Sequence, residues 1–159
     1  QYVLLKWLCH RYADHVSYER IVSGPGIYTL YEFLRDSGFA PESISMMHIP
    51  EGKDRSMMVS ECALNEHDPL CLETLRMFSE IYGAEAGNLA LKSISLGGVY
   101  IGGGIAPKIL PILTNNNYFM NGFTQKGRFE KMLRGMQVRI SLNPETALLG
   151  AAYFALDRL

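Results

Sequence analysis

Apolar side chains recur with the period of an α-helix through the first ninety residues. The first set predicts an amphipathic helix over residues 1–13 and has the spacing of one helix face: Leu4, Leu5, Leu8 and Tyr12. A second helix is predicted to begin with Ser23 as its N-cap and Pro25 near its first position, and to stop at Gly38. Residues 37–56 are polar and rich in turn formers, so they are interpreted as a surface excursion in which Met46 and Met47 are exposed.

The longest helix is predicted to begin at the Asp68-Pro69 pair, after a short helix that starts at Asp54 or Ser56. Its apolar series keeps a period near 3.6 residues: Cys71, Leu75, Phe78, Tyr82, Ala86 and Leu89. Gly83 and Gly87 lie within this pattern. Since a glycine costs about 1 kcal/mol relative to alanine inside a helix, the two glycines predict close packing against a neighbouring element.

The pattern changes over the last seventy residues, where short β-type runs alternate with helical ones. Parallel strands are predicted near residues 98–102 and 137–142, because strands separated by helices pair in that sense. The helices between and after them are expected over these segments: 107–113, 118–122, 127–133 and from Asn143-Pro144 onward. Two strands make a poor sheet, so further strands are expected from residues before Gln1 or from another chain.

Composition and charge narrow the class of protein. The 159 residues are 48% hydrophobic and 19% charged with a net charge of −1, which is typical of a soluble globular domain. The near-neutral balance argues against non-specific nucleic-acid binding, and no apolar run reaches the roughly 18 residues that a membrane span needs. Three widely spaced cysteines without a C-x-x-C pair argue against a zinc or redox site and fit a reducing cytoplasm.

The segment S-L-G-G-V-Y-I-G-G-G-I-A-P, residues 95–107, carries the most chemical information. A predicted strand runs into Gly102, Gly103 and Gly104, and after Ile105 a helix is predicted from about Pro107. Glycine permits positive φ and lets the backbone lie flat against a planar ligand, which favours a nucleotide-binding loop at the carboxyl end of a parallel strand. A tight turn without a ligand is the alternative. The spacing matches neither a dinucleotide-binding fingerprint nor a P-loop.

Other candidate residues are weaker signals. Glu19 lies just before the Ser-Gly-Pro-Gly turn, where a carboxylate suits sugar hydroxyls; alternatively it is a surface carboxylate paired with Arg20. The basic stretch over residues 126–139 either faces nucleotide phosphates or is a solvated surface. The four histidines share no spacing, so no catalytic or metal-ligating residue is assigned.

Five segments, taken together and in order, resemble the bacterial-type glucokinases of the superfamily that unites hexokinases, actin and heat-shock chaperones. They are H-V-S-Y-E-R-I-V-S-G-P-G-I (15–27), G-N-L-A-L (87–91), G-G-V-Y-I-G-G-G-I-A-P (97–107), F-x-x-K-G-R-F-x-x-x-L (123–133) and N-P-E-T-A-L-L-G-A-A (143–152). Each segment alone is a weak signal, whereas the combination is specific.

The resemblance implies a helix-rich α/β fold with a ribonuclease-H-like, actin-like core, and transfer of the γ-phosphoryl group of ATP to the 6-hydroxyl of glucose with Mg²⁺. Glu19 matches one of two glutamates that hold the sugar hydroxyls. The adenosine motif of the family is matched by Gly102, Gly103, Gly104 and Ile105. The helix from Pro144 matches the element that leads back to the domain hinge. The resemblance also implies a cytoplasmic enzyme without membrane or nucleic-acid partners and leaves a homodimer open.

Several motifs of the resembled family are absent from the chain: both phosphate loops, the Asn-Asp pair that carries the catalytic base, and the E-x-G-H motif. Residues 1–159 are therefore expected to be the C-terminal, large-domain portion of a two-domain sugar kinase, inactive alone. A non-catalytic sugar- or nucleotide-binding regulator of the same superfamily is the alternative, although the clustered cysteines of such repressors are missing. A third hypothesis is an autonomous nucleotide-binding or protein-interaction domain, which ATP would stabilise without sugar.

Overall fold

A computed structural model of the chain describes residues 2–13 and 15–158. The helices are α1 (Tyr2–Arg11), α2 (Gly24–Asp36), α3 (Ile44–Met47), α4 (Arg55–Glu61), α5 (Pro69–Ser93), α6 (Ile105–Lys108), α7 (Leu110–Thr114), α8 (Tyr118–Thr124), α9 (Glu130–Arg134) and α10 (Thr146–Leu156). The strands are β1 (Val99–Ile101) and β2 (Val138–Ile140). None of the helices in the described ranges combines the length and the apolar character that crossing a membrane requires.

The chain divides into two compact units, residues 1–81 and 82–159. In the first unit α2 packs against α4, and Leu30 and Val59 of these helices are fully buried. The predicted N-cap of α2 is confirmed, because the Ser23 hydroxyl accepts a hydrogen bond from the Gly26 amide at 3.1 Å. The predicted stop is also confirmed: α2 ends just before Gly38, which has a φ of +69°. The first predicted helix is present as α1, and Gln1 lies outside the described residues.

The expectation that residues 37–56 form only an exposed excursion is wrong in one respect. They contain the short helix α3, and Met46 is buried whereas Met47 is exposed. The same holds for the methionine pair of α4, in which Met57 is exposed and Met58 is buried. Successive residues on a helix point about 100° apart, so only one member of each methionine pair faces the core.

In the second unit the close approach predicted for α5 is confirmed. A methyl group on Gly83 would overlap the carbonyl oxygen of Phe119, and one on Gly87 would overlap that of Phe123. The apolar face continues through the two glycines to Ala86 and Ala90. The assignment of Leu89 to that face is wrong, since Leu89 is 55% exposed.

The two strands pair in parallel, with Val99 opposite Val138 and Ile101 opposite Ile140, which confirms the predicted pairing. The helix predicted over 107–113 differs from the structure. It begins earlier and is divided into α6 and α7 at Ile109, because Pro111 in the first turn of α7 has no amide hydrogen to continue a single helix.

The last helix, α10, begins at Thr146, three residues after the predicted start. Asn143 instead forms a turn in which its side-chain oxygen accepts a hydrogen bond from the Glu145 amide at 2.9 Å. Every residue of α10 is exposed, although the segment T-A-L-L-G-A-A-Y-F-A-L is almost wholly apolar. Its two aromatic side chains are largely exposed, Tyr153 at 75% and Phe154 at 61%. The apolar side chains of α10 therefore lie largely uncovered in the described part of the chain.

Candidate functional site

A single turn of 3₁₀ helix, Tyr18–Arg20, carries Glu19 between α1 and α2. The Tyr18 carbonyl oxygen accepts hydrogen bonds from the Ile21 amide at 2.9 Å and the Val22 amide at 2.7 Å. The Arg20 amide donates to the Ser17 carbonyl at 3.1 Å. The Glu19 side chain is exposed, so the turn presents a carboxylate to solvent from a hydrogen-bonded backbone.

Ser23 ties this turn to the start of α2. Its hydroxyl donates to the Glu19 carbonyl oxygen at 2.7 Å and accepts from the Gly26 amide at 3.1 Å. Gly26 lies so close to the turn that a methyl group there would overlap the carbonyl group of Ile21. The backbone of Glu19 is thus held through one side chain and one close contact.

A cavity of about 330 Å³ opens beside the turn, and six of its lining residues carry polar groups: Tyr12, Ser17, Glu19, Arg20, Ser23 and Thr29. Hydroxyl groups both donate and accept hydrogen bonds, and a carboxylate accepts several. A concave hollow with this lining suits a small ligand that carries several hydroxyl groups. Tyr12, Ser17 and Thr29 were not singled out in the sequence, although Thr29 follows Pro25 by one helical turn and donates to its carbonyl at 3.3 Å.

The ion pair between Glu19 and Arg20, considered above as an alternative, is not formed. The Arg20 guanidinium lies 4.3 Å from the centroid of the Tyr12 ring, a cation–π arrangement. Within residues 2–13 and 15–158 no ion pair involves the Glu19 carboxylate. The carboxylate is therefore available to an outside hydrogen-bond donor.

The glycine loop follows β1 in the second unit, as the sequence indicates. Gly102, Gly103 and Gly104 are exposed, and a methyl group on any of them would meet no atom within 4 Å. Gly103 has a φ of +96°, which L side chains rarely adopt, whereas Gly104 has ordinary helical angles and caps α6. Half-buried Ile105 opens α6. The loop thus offers a bare, exposed backbone surface without side chains above it.

Two arginines of the basic stretch are bound by nearby groups of the protein. Arg134 forms an ion pair with Glu130 at 2.7 Å, and Arg139 donates to the Tyr100 hydroxyl at 2.9 Å. Burial lowers the pKa of Lys126, an effect that Glu85 opposes. These contacts favour the interpretation of the stretch as a structural surface.

The histidines and cysteines belong to no candidate metal-binding cluster among the described residues. All four histidines are exposed, and no group of three or more His, Cys, Asp or Glu side chains there could hold a metal ion. The three cysteines are free: Cys9 is exposed, whereas Cys62 and Cys71 are buried.

Comparison with known proteins gives a consistent result. The family model described as Glucokinase matches residues 1–158. Glucokinase of Nostoc punctiforme is 44% identical over 98% of this chain and 49% of its own length, and that of Synechocystis sp. is 39% identical over 98% and 47%. A crystal structure of glucokinase from an Antarctic psychrotroph superposes with a TM-score of 0.74 at 31% identity, over 95% of this chain and 44% of the other.

The chain spans about half the length of the curated relatives it matches. Its helix-rich α/β architecture, its small parallel sheet and its similarity to a solved glucokinase agree with the match of residues 1–158 to the family model. The chain belongs to the glucokinase family.

Proposed function

We propose that this chain is the C-terminal portion of a two-domain, cytoplasmic glucokinase with a ribonuclease-H-like core, which transfers the γ-phosphoryl group of ATP to glucose. The observation that carries the proposal is the family match over residues 1–158. The chain contributes one carboxylate of the sugar site and the wall that contacts adenosine, and the remainder of the enzyme contributes the phosphate loops and the catalytic base.

Glu19 is proposed to bind sugar hydroxyl groups. Three observations support this role: the carboxylate makes no ion pair in the described structure, it borders a polar cavity of about 330 Å³, and its backbone is held by Ser23. Hydrogen bonds to an ionised acceptor are about twice as strong as those between neutral groups. A fixed carboxylate therefore discriminates a polyol from an apolar ligand of the same size.

The glycine loop is proposed to contact the adenine and ribose of ATP. Support comes from its position at the carboxyl end of the parallel strand β1 and from the open space over Gly102, Gly103 and Gly104. We propose that ATP is used as its Mg²⁺ complex, in which the metal ion would supply neutralisation of charge on the phosphates. Residues of this chain orient the nucleoside end of ATP and leave the reacting end to the remainder of the enzyme.

The bare apolar helix α10 supports the idea of a two-part enzyme. An unpartnered helix of this composition is stable in water only when another surface covers it. We propose that the remainder of the glucokinase covers it. Because sugar kinases complete their sites by closing two lobes over the substrates, the chain alone is expected to be inactive.

The test is a fusion enzyme, in which this chain follows the part of Nostoc punctiforme glucokinase that it does not match. Glucose-dependent formation of ADP is measured for the isolated chain, for the fusion and for the fusion with Glu19→Gln. We expect the isolated chain to be inactive, the fusion to be active, and the Glu19→Gln fusion to be active with a raised KM for glucose. Activity of the isolated chain, or a Glu19→Gln fusion with an unchanged KM, contradicts the proposal.

A second candidate function is a regulatory, nucleotide-binding domain without catalysis. The complete and exposed glycine loop within this chain favours it. This candidate predicts that ATP alone raises the melting temperature of the isolated chain and that the fusion remains inactive. A homodimer is a further proposal from the family resemblance, and sedimentation of the fusion tests it.

A further inference from the structure

We propose that Ser23 is a positioning residue for the sugar site, since its hydroxyl fixes the turn that carries Glu19. The inference rests on the proposed role of Glu19 in binding sugar. The Ser23 side chain also lines the cavity, but its hydroxyl proton is already donated to the Glu19 carbonyl oxygen, so we assign its effect to holding the Glu19 backbone.

The argument begins with the two hydrogen bonds that the Ser23 hydroxyl makes at once. It accepts from the Gly26 amide at 3.1 Å, which is the ordinary work of an N-cap. It also donates to the Glu19 carbonyl oxygen at 2.7 Å, which capping a helix does not require. The second bond couples the rigid start of α2 to the 3₁₀ turn.

Backbone hydrogen bonds restrain the rest of the three-residue turn but do not involve the Glu19 carbonyl oxygen. The Arg20 amide donates to the Ser17 carbonyl, and the amides of Ile21 and Val22 share one acceptor, the Tyr18 carbonyl oxygen. Glu19 is exposed, so no packing of its side chain holds it. A carboxylate must be held to within a fraction of an ångström to make short hydrogen bonds to particular hydroxyl groups. The Ser23 bond supplies this restraint from the α2 side.

Two further contacts explain why the restraint is stiff. Gly26 lets α2 approach until its backbone touches the Ile21 carbonyl group, so the turn cannot move toward the helix. On the other side the Arg20 guanidinium lies over the Tyr12 ring at 4.3 Å, next to the end of α1. The hydroxyl of Ser23 adds a direct hydrogen bond to the Glu19 peptide itself.

The first experiment measures steady-state kinetics of the fusion enzyme with Ser23→Ala, Ser23→Thr and a control, Asp54→Ala. Asp54 is the N-cap of α4 and accepts from the Ser56 amide at 2.8 Å, so its loss also removes a helix cap in the same unit. We expect Ser23→Ala to raise the KM for glucose about three- to tenfold, the worth of one hydrogen bond, with a smaller change in kcat. Ser23→Thr, which retains a hydroxyl, restores the KM, and Asp54→Ala leaves it unchanged.

The second experiment follows amide hydrogen exchange in the chain itself and needs no sugar. Ser23→Ala is expected to accelerate exchange at the Ile21 and Val22 amides, and Ser23→Thr to restore protection. Amides of α4 serve as the internal reference. Unchanged exchange at both positions in Ser23→Ala overturns the inference.

The two experiments separate the inference from the proposed function. If Glu19→Gln raises the KM for glucose but Ser23→Ala behaves as Asp54→Ala does, the positioning role is wrong and the sugar site stands. If Glu19→Gln leaves the KM unchanged while Ser23→Ala loosens the turn, the sugar site is wrong, and Ser23 is merely a structural anchor. A raised KM together with faster exchange in Ser23→Ala supports both.

Discussion

The carbonyl oxygen of Phe119 occupies the space that the side chain of any larger residue at Gly83 would need. The two residues belong to α5 and α8, and the ring of Phe119 also meets Tyr82 edge to face, with centroids 5.5 Å apart. A glycine that weakens α5 as an isolated helix therefore sets the distance between two packed helices.

Gly83→Ala is expected to destabilise the chain by about 1–3 kcal/mol, because overpacking outweighs the gain in helix propensity. Urea unfolding measures the change. Gly150→Ala is the matched control, since Gly150 is also helical but a methyl group there meets no atom within 4 Å. The control is expected to lose no stability, and an equal loss in both variants would contradict the packing argument.

Ile94 adopts a left-handed backbone conformation, with a φ of +48°, directly after α5 ends. This conformation costs an L residue about 1–2 kcal/mol. Because Ile94 is 62% exposed, packing of its side chain offsets little of that cost. Ile94→Gly is expected to raise the free energy of unfolding by about 1 kcal/mol after the extra chain entropy of glycine is subtracted. Ile94→Ala keeps the Cβ atom and is expected to gain much less; equal gains would assign the effect to the loss of the exposed side chain.

Burial raises the pKa of the Cys62 and Cys71 thiols above their ordinary value of 9.0. Below that pH both thiols are neutral in the folded and in the unfolded chain. Above it the unfolded chain ionises first, so the free energy of unfolding falls as the pH rises, by up to about 1.4 kcal/mol per pH unit for each thiol. Stability is measured by urea unfolding between about pH 8 and about pH 10.

In Cys71→Ala this decline is expected to be shallower, whatever the cavity costs at neutral pH, because one ionisation is removed. Cys9→Ala is the control, since Cys9 is exposed and lies outside the core. An unchanged slope in Cys71→Ala would show that the buried thiol does not contribute.

Gly104 provides a test of the adenosine contact that leaves the fold untouched. Its φ of −86° and ψ of −8° suit alanine, and a methyl group there meets no atom within 4 Å. In the fusion enzyme Gly104→Ala is expected to raise the KM for ATP several-fold, about 1 kcal/mol, without changing the KM for glucose or the unfolding curve. Gly97→Ala, equally open but before β1, is the control. An unchanged KM for ATP in Gly104→Ala would remove the loop from the nucleotide site.

The features predicted correctly from the sequence depend on the type and order of nearby residues along the chain. Ser23 caps α2 as predicted, and Asp54, one of the two starts predicted for the next helix, caps α4, because capping bonds form within one turn. Gly83 marks a close approach because only a residue without a side chain fits there. The parallel pairing of β1 and β2 follows from the helices between them. The resemblance to glucokinases, which the family match confirms, came from motifs in order along the chain.

The features that the sequence did not reveal depend on tertiary packing. Leu89 has the correct period for the buried face, yet it is exposed and the neighbouring Ala90 is buried instead. Arg20 follows Glu19 directly, yet its guanidinium lies over Tyr12, which precedes it by eight positions. The polar cavity is likewise formed by residues from separate parts of the chain: Tyr12 just after α1, the 3₁₀ turn and the start of α2.

The uncovered surface of α10 has a practical consequence for anyone who handles this chain. Side chains such as Leu148, Tyr153 and Phe154 stand in water along the whole helix. A purified sample is expected to self-associate as its concentration increases and to bind hydrophobic dyes, whereas co-production with the complementary lobe should suppress both behaviours. Its solubility is thus a direct gauge of whether its natural counterpart is present.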